Sequence, residues 1–296
     1  MTQILGVVTH DYVLMATDRR LSFLDGPRAG RVADDDTCKL VCLCNAAGIA
    51  YTGLAAIGGK PTHEWIALRL AERGCTSAVQ AGQVLAECAA SELPRTRYSG
   101  EQTFLIAGWD WMPGESRLRP HLGLVSNKYD ASGGVRTRPG REFSHFVNWL
   151  SDDRKWTAKV AGSDMSDAQV RHQRRLYNRL ANHEVSSRTV LGEMARSISE
   201  TAAAVRTVGN RVLCMCVPRS AVEGSLSGNG STLLATNDDV SSASFSYYDP
   251  EYSELRQYGP TTVCGQTAFT DVVTETDPSR DYQSVQVKIL RMPSEP

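Results

Sequence analysis

The hydrophobic positions of the chain form short apolar runs between polar turns, together with longer segments that have helical spacing. Short runs rich in Val, Ile, Leu and aromatic residues are typical of strands. Strands are predicted over residues 3–8, 12–17, 39–44, 49–56, 103–111, 119–127, 155–163 and 211–217. The helical segments have an N-cap at Thr62 and stops at Gly74 and Pro94. Helices are predicted over residues 62–74, 76–93, 166–183 and 187–205.

The order of these elements indicates a fold class. Strands are followed by two helices, then by strands, two more helices and a strand. Because the strands come in hairpins and the helices in pairs, the economical packing places two antiparallel sheets between helical layers. The pattern therefore predicts an α+β fold, a four-layer αββα sandwich, over residues 1–218.

The character of the chain changes after this core. From about residue 219 the sequence is rich in Ser, Gly, Asn and Asp, which seldom form a hydrophobic core. Further on, "PTTVCGQTAF" and "YQSVQVKIL" alternate well enough to form short strands. Residues 219–296 are therefore predicted to be an extension, with a Ser/Gly-rich arm and a β-rich element that packs on a neighbouring subunit.

Composition and charge exclude several classes of partner. The chain has 296 residues, 41% of them hydrophobic, so it can bury a full core. A net charge of −1 does not favour nucleic acid or an anionic membrane as a partner. The sequence has no apolar run of about 20 residues and no secretory signal pattern. We therefore expect a cytoplasmic protein without a nucleic-acid or membrane partner.

Two C-x-C pairs raise the question of a metal site. Cys42 with Cys44, and Cys214 with Cys216, could supply four thiolates to zinc. Each pair lies within an apolar run, where cysteine usually packs as a small hydrophobic residue, so buried structural thiols are the favoured interpretation. The histidines lack metal-ligand spacing, and "GSLSGNG" lacks the Lys of a phosphate-binding loop. No metal or cofactor is expected, and a zinc module stays an alternative.

Register arithmetic brings polar residues to the open ends of the first two predicted hairpins. Partner numbers that sum to about 20 in the first hairpin set Thr2 across from Asp18. A sum of about 93 in the second sets Lys39 beside Gly53. If the two hairpins lie side by side in one sheet, these four residues meet at one sheet end.

Together these residue types could perform acyl transfer. A hydroxyl nucleophile such as that of Thr2 needs a nearby base. A terminal threonine carries its own base, since a free α-amine has a pKa of about 7.7–8.0. Lys39 would disfavour protonation of that amine, and Asp18 would hold Lys39 as its ion-pair partner. Gly53 would let its N–H approach a developing oxyanion without interference from a Cβ atom.

These residues carry a resemblance to a known family. "TQILGVVTHDYVLMATDRR" followed by "KLVCLCNAAGIAYTGLAA" resembles the start of a proteasome-type β subunit, a threonine peptidase of the N-terminal nucleophile (Ntn) hydrolases. "TFLIAGWD" and "VAGSDMSDA" extend the similarity over most of residues 2–218. The resemblance implies the Ntn-hydrolase fold, with Thr2 as nucleophile and general base. It also implies that Asp18 and Lys39 tune Thr2 and that Gly53 supplies the oxyanion N–H.

The resemblance extends to two more residues and to the assembly. It implies that Arg20 supports the site and that Ser163 orients the terminal amine. The Met-Thr start is similar to that of the bacterial ATP-dependent branch of the family, in which removal of Met1 exposes the threonine. The family also implies a homo-oligomeric ring and an ATP-dependent unfoldase as a partner.

The chain departs from the family pattern in two places. Val205 and Val208 stand where the family usually places an Asp and a Ser, and Thr207 is the nearest substitute hydroxyl. The stretch between Arg20 and Lys39 is also longer than is typical of the family. The expected function is hydrolysis of peptide or amide bonds through an acyl-enzyme on Thr2. A non-catalytic subunit or scaffold of the same fold is the alternative.

Overall fold

The structure, a computed structural model, describes residues 2–22, 30–96, 100–112, 114–115, 117–130, 132–226, 243–250, 254–257, 260–276 and 283–290. The strands within these ranges are β1 (Gln3–Thr9), β2 (Tyr12–Asp18), β3 (Leu21–Ser22), β4 (Val32–Asp34), β5 (Leu40–Leu43), β6 (Ala47–Thr52), β7 (Ala56–Ile57), β8 (Lys60–Pro61), β9 (Thr103–Trp111), β10 (Leu118–Ser126), β11 (Ser144–Trp149), β12 (Trp156–Gly162), β13 (Val212–Pro218), β14 (Ser244–Asp249), β15 (Glu254–Gln257), β16 (Thr261–Cys264), β17 (Thr267–Thr276) and β18 (Gln283–Ile289). The α-helices are α1 (Thr62–Glu72), α2 (Ala78–Glu92), α3 (Asp167–Ala181), α4 (Ser187–Ala204) and α5 (Arg219–Leu226).

The first four helices agree with the sequence prediction to within about two residues, and their ends have local causes. Ser77 caps α2 by accepting a hydrogen bond from the N–H of Gln80. Ser166 and Gln169 form a reciprocal capping box at the start of α3. None of the described helices is both long and apolar enough to span a bilayer.

The strands form two large sheets and two small two-stranded ones. The order in the six-stranded sheet is β12-β1-β2-β13-β14-β15, with every neighbouring pair antiparallel. The order in the eight-stranded sheet is β11-β10-β9-β6-β5-β16-β17-β18. Its one parallel pair among the described strands is β5 with β16. The result is a mixed helix and sheet architecture, compatible with the predicted α+β class.

Three clusters of buried apolar residues hold these elements together. One joins the two large sheets and includes Ile4 on β1 and Leu105 on β9. Another packs α1 and α2 on the eight-stranded sheet, where Trp65 stacks on Phe104. The remaining cluster packs α3 and α4 on the six-stranded sheet and includes Met194. Both faces of each large sheet are therefore in contact with apolar side chains.

The extension after residue 218 differs from its prediction. The start of the predicted arm is the helix α5. Farther along, β14 pairs with β13 and β16 pairs with β5, so the described strands of the extension lengthen both core sheets of the same chain. The middle of the predicted arm, residues 227–242, lies outside the described residues. The strand β11 was not predicted; half of its six residues are polar, and its polar and apolar residues do not alternate.

Two histidines, the buried His121 and the half-buried His145, lie on the face of the eight-stranded sheet that packs against α2. The ring of His121 is fully buried at 4.6 Å from the ring of Trp149. Neither ring nitrogen of His121 has a hydrogen-bond partner among the described residues. Burial lowers the pKa of His121 to about 4, a shift that Asp110 opposes and His145 strengthens. Burial also lowers the pKa of His145.

We predict that this burial makes the protein sensitive to acid. Between the unfolded pKa of about 6.5 and the folded value of about 4, the unfolded chain binds more protons, so stability falls as pH falls. For His121 the loss across this window is about 3 kcal/mol. His121→Phe keeps an aromatic ring beside Trp149 and should remove that part of the loss. Urea unfolding of both proteins at neutral and acidic pH measures it, and equal losses in the two proteins would contradict the prediction.

Candidate active site

Three of the predicted site residues form one buried polar cluster. The Nζ atom of Lys39 donates to Oγ1 of Thr2 at 2.7 Å and to Oδ2 of Asp18 at 3.2 Å. All three are almost inaccessible to solvent, with exposed fractions of 5% for Thr2, 0% for Asp18 and 1% for Lys39. The cluster therefore places a hydroxyl, an ammonium and a carboxylate in series within the protein interior.

The route by which these residues meet differs from the prediction. The β1–β2 hairpin belongs to the six-stranded sheet and the β5–β6 hairpin to the eight-stranded sheet, so the expectation that they share one sheet is wrong. Leu40 pairs with Ala50, which brings Lys39 level with Tyr51 instead of beside Gly53. The residues still meet because stacked sheets lie about 10 Å apart, a gap that the Lys39 side chain spans together with the side chains of Thr2 and Asp18.

The carboxylate of Asp18 is fixed by main-chain donors. Its Oδ1 accepts a hydrogen bond from the N–H of Gln3 at 2.8 Å. Its Oδ2 accepts from the N–H of Arg20 at 3.0 Å and from that of Gly209 at 3.1 Å. Charge-assisted bonds of this kind offset much of the cost of burying a carboxylate. Asp18 is thus held in one orientation before Lys39 contributes.

Lys39 has an acceptor for each of its three N–H donors. Besides Thr2 and Asp18, its Nζ contacts the carbonyl oxygen of Arg20. Burial lowers the pKa of the Lys39 ammonium; the Asp18 carboxylate opposes this and the positive charge of Arg20 adds to it. Lowered lysine pKa values of this kind occur at proton-transfer sites and also in structural ion pairs.

Arg20 contributes its main chain to the site and directs its side chain elsewhere. The guanidinium binds both carboxylate oxygens of Asp35, with Nε to Oδ1 at 2.5 Å and Nη2 to Oδ2 at 3.1 Å. Its Nη1 also donates to the carbonyl oxygens of Arg206 and Val208, each at 3.1 Å. Arg20 therefore ties the loop before Lys39 to the segment that ends at Gly209.

Gly53 lies just after β6 in a conformation that requires glycine. Its φ is +117°, and an added Cβ would lie 2.3 Å from Oε1 of Gln102 and 2.7 Å from the carbonyl oxygen of Glu101. The same Oε1 accepts a hydrogen bond from the N–H of Leu54 at 2.7 Å. Gln102, which the sequence analysis missed, fixes the turn that follows Gly53. No sequence signal identified it, because its partner is a main-chain group far along the chain.

Ser163 meets Thr2 through the main chain. Its N–H donates to the carbonyl oxygen of Thr2 at 2.8 Å. Gly162, with φ of +84°, permits this approach, since an added Cβ would lie 1.8 Å from that oxygen. The Ser163 hydroxyl is buried and has no hydrogen-bond partner among the described residues. The Ser163 hydroxyl can therefore form a further hydrogen bond.

The segment 205–209 supplies a main-chain contact where the family pattern has polar side chains. Val208 is fully buried in the apolar cluster beneath α3 and α4. Thr207 forms no side-chain hydrogen bond within the part of the chain that the structure describes. The contact from this segment to the site is instead the N–H of Gly209 on Asp18.

The two C-x-C pairs lie in different sheets and do not share a metal site. Cys42 and Cys44 belong to β5 and the turn after it, whereas Cys214 and Cys216 lie on β13 against the helices α3 and α4. Burial raises the pKa of Cys42 to about 12 and raises that of Cys214 further. Among the described residues no group of three or more metal-ligating side chains converges. Cys42, Cys214 and Cys216 are buried like apolar residues, whereas Cys44 is half-buried.

Comparison with known proteins does not assign this chain to a family. No protein-family model matches the chain, and no curated protein matches its sequence. Any function assigned to the cluster therefore depends on its geometry and on the residue pattern described above.

We predict that Asp18 and Lys39 are strongly coupled. Removing one member of a buried ion pair leaves the other uncompensated, so Asp18→Asn and Lys39→Met should each lower the free energy of unfolding by about 3 to 5 kcal/mol. The double variant should lose less than the sum of the two, because it leaves no unpaired charge. Denaturant unfolding of all four proteins measures the coupling.

A matched control comes from the exposed pair Arg179–Glu184, whose charged atoms lie 3.6 Å apart. Arg179→Met should lower the free energy of unfolding by less than about 1 kcal/mol. Additive losses for Asp18→Asn and Lys39→Met would show that the buried pair does not act as a unit.

Proposed function

We propose that this protein is a proteasome-type N-terminal threonine hydrolase that cleaves peptide or amide bonds. The observation that carries the proposal is the contact of Lys39 Nζ with Thr2 Oγ1 at 2.7 Å, backed by Asp18 at 3.2 Å in a buried setting. The proposal requires a free amine on Thr2 and therefore removal of Met1, which lies outside the described residues.

In the proposed reaction the Thr2 hydroxyl attacks the substrate carbonyl carbon and its proton passes to the α-amine. The tetrahedral intermediate then breaks its C–N bond, and the leaving amine takes the proton from the α-ammonium. The resulting ester on Thr2 is attacked by water, which releases a carboxylic acid and restores the hydroxyl. Lys39 stabilises the negative charge that develops on Oγ1 as it attacks and again as it leaves, and Asp18 holds Lys39 in position.

Two further groups support this assignment. The buried Ser163 hydroxyl, without a partner among the described residues, is suited to bind the terminal amine and orient its lone pair. The Gly53 main chain, fixed by Gln102 through Leu54, is suited to present an N–H to the oxyanion. In this proposal Ser163 is a positioning residue, and Gly53 contacts the reacting oxygen.

The proposal includes the fold and the assembly that the family resemblance implies. The three apolar clusters support a four-layer αββα sandwich of the Ntn-hydrolase type, with one cluster between the sheets and one under each helix pair. A homo-oligomeric ring in the cytoplasm, fed by an ATP-dependent unfoldase, is part of the same proposal. Nucleic acid, membranes, metals and cofactors have no part in it.

A second candidate function is a non-catalytic subunit of the same fold. The observation that favours it is the apolar character of segment 205–209. Val208 is buried where a proton-relay hydroxyl is expected, and the segment reaches Asp18 through a main-chain N–H alone. In that case the Lys39–Asp18 pair has a structural role.

A peptide epoxyketone distinguishes the two candidates, because it forms its ring adduct with both the hydroxyl and the free amine of a terminal threonine. We predict a protein mass without Met1 and one adduct per chain on Thr2. Thr2→Ala should abolish the adduct, and Lys39→Met should slow labelling by about 100-fold or more, the scale of losing one electrostatic stabiliser. Intact mass and peptide mapping measure both.

Thr207→Ala is the matched control and should label like the unaltered protein, because its hydroxyl has no bond to the site. A processed protein that forms no adduct would favour the non-catalytic subunit. A retained Met1 would overturn the hydrolase proposal, since the amine would be blocked.

A further inference from the structure

Two cysteines lie opposite each other where the extension joins the core. The parallel pairing of β16 with β5 ends at Val263 opposite Leu43. Beyond it, the N–H of Cys44 donates to the carbonyl oxygen of Val263 at 2.8 Å. In a parallel ladder an N–H bonds the carbonyl that precedes its lateral partner. The lateral partner of Cys44 is therefore Cys264.

This arrangement meets the distance requirement for a disulfide. Neighbouring strands lie about 4.8 Å apart, within the range of about 4.4–6.8 Å between Cα atoms that a disulfide spans. Cys44 has a φ of 48° and the residue after Cys264 is Gly265, whose φ is +56°, so both cysteines lie at turns where the strand geometry relaxes.

The surroundings give the two thiols different roles. Cys264 is exposed, whereas Cys44 is partly buried against the apolar cluster under α1 and α2. Burial first, and then the adjacent Cys264 thiol, raises the pKa of Cys44 to about 12. Cys264 is therefore the thiol that meets an oxidant from solution, and Cys44 is the thiol that resolves the product.

We propose that Cys44 and Cys264 form a reversible disulfide that fastens the C-terminal extension to strand β5. The oxidant is a small disulfide of the glutathione type. The Cys264 thiolate attacks it, forming a mixed disulfide and releasing one small thiolate. Cys44 gives its proton to solvent and attacks the Cys264 sulfur, which releases the second small thiolate. Two protein thiols are oxidised, and one small disulfide is reduced to two thiols.

The disulfide would strengthen the short pairing between β16 and β5. β16 meets β5 through three residue pairs. It covers the edge of the strand that Lys39 precedes, and Thr261 Oγ1 lies 3.9 Å from the Cys38 sulfur. A cross-link from Cys44 to Cys264 closes a long loop and stabilises the fold mainly by restricting the unfolded chain. The inference does not depend on the proposed hydrolase activity.

The test uses the full chain in glutathione redox buffers of increasing oxidised fraction, followed by alkylation and peptide mapping. Two of the eight thiols should escape alkylation, and a peptide pair joined by the Cys44–Cys264 bond should appear in the map. Dithiothreitol should make both thiols reactive again. The Tm of the oxidised protein should rise by roughly 5 to 10 °C. Hydrogen exchange in β16 should slow on oxidation.

Cysteine variants make the outcome decisive. Cys264→Ser and Cys44→Ser should each abolish the cross-link and the rise in Tm. Cys88→Ser, at a partly buried cysteine on α2, should retain both. The proposal is overturned if all eight thiols persist, if Cys264 stops at the glutathione adduct, or if the bond joins other cysteines or two copies of the chain.

Discussion

The buried Asp18–Lys39 pair is the interaction on which the candidate site depends. An ion pair excluded from water is tolerated only when its remaining donors and acceptors are satisfied. Here the Asp18 carboxylate accepts hydrogen bonds from three main-chain N–H groups, and the Lys39 ammonium donates to three oxygen atoms. Those partners come from the ends of β1 and β2 in the six-stranded sheet and from the segment before β13, whereas Lys39 itself precedes β5 of the eight-stranded sheet. The pair can persist only if these segments keep their relative positions, so the polar cluster and the packing of the sheets depend on each other.

The same constraint explains the glycines around the cluster. Gly162 and Gly53 both have positive φ and adjoin atoms that an added Cβ would strike, the Thr2 carbonyl oxygen and Oε1 of Gln102 respectively. Gly209 brings its N–H to Asp18, and an added Cβ there would lie 2.8 Å from the Cβ of Arg20. Close main-chain approach supplies most of the polar contacts, so the site needs few polar side chains. A main-chain donor cannot lose or gain a proton, so the N–H of Gly209 holds Asp18 without a titratable side chain from segment 205–209.

Local patterns were enough to predict most of the elements. Apolar strand runs located β1, β2, β5 and β6, and the stops at Gly74 and Pro94 located the ends of α1 and α2, because each of these signals is contained within a few residues. Thr62 was expected to cap α1 but is its first residue, after Pro61. The register of the first hairpin was one residue off, since Ile4 pairs with Thr17 and this sets Thr2 across from Arg19. The sheet that a hairpin joins depends on contacts between distant segments, so the assumption of a single sheet for both hairpins was wrong. Gln102 was missed for the same reason. The strand β11 was missed because its side chains are polar or partly exposed and lack a strict alternation.

The parallel strand β16 of the extension covers an edge of the core sheet. Without it, β5 would be an edge strand with unpaired main-chain groups, and Lys39 would stand next to that edge. Edge strands invite pairing with other chains and give water access to the groups beside them. The long connection to β16 permits the parallel direction, since a short turn can join only antiparallel neighbours. β16 pairs with β5 two residues after Lys39, and Thr261 Oγ1 lies 3.9 Å from the Cys38 sulfur, so residues after 218 pack beside the segment that carries Lys39.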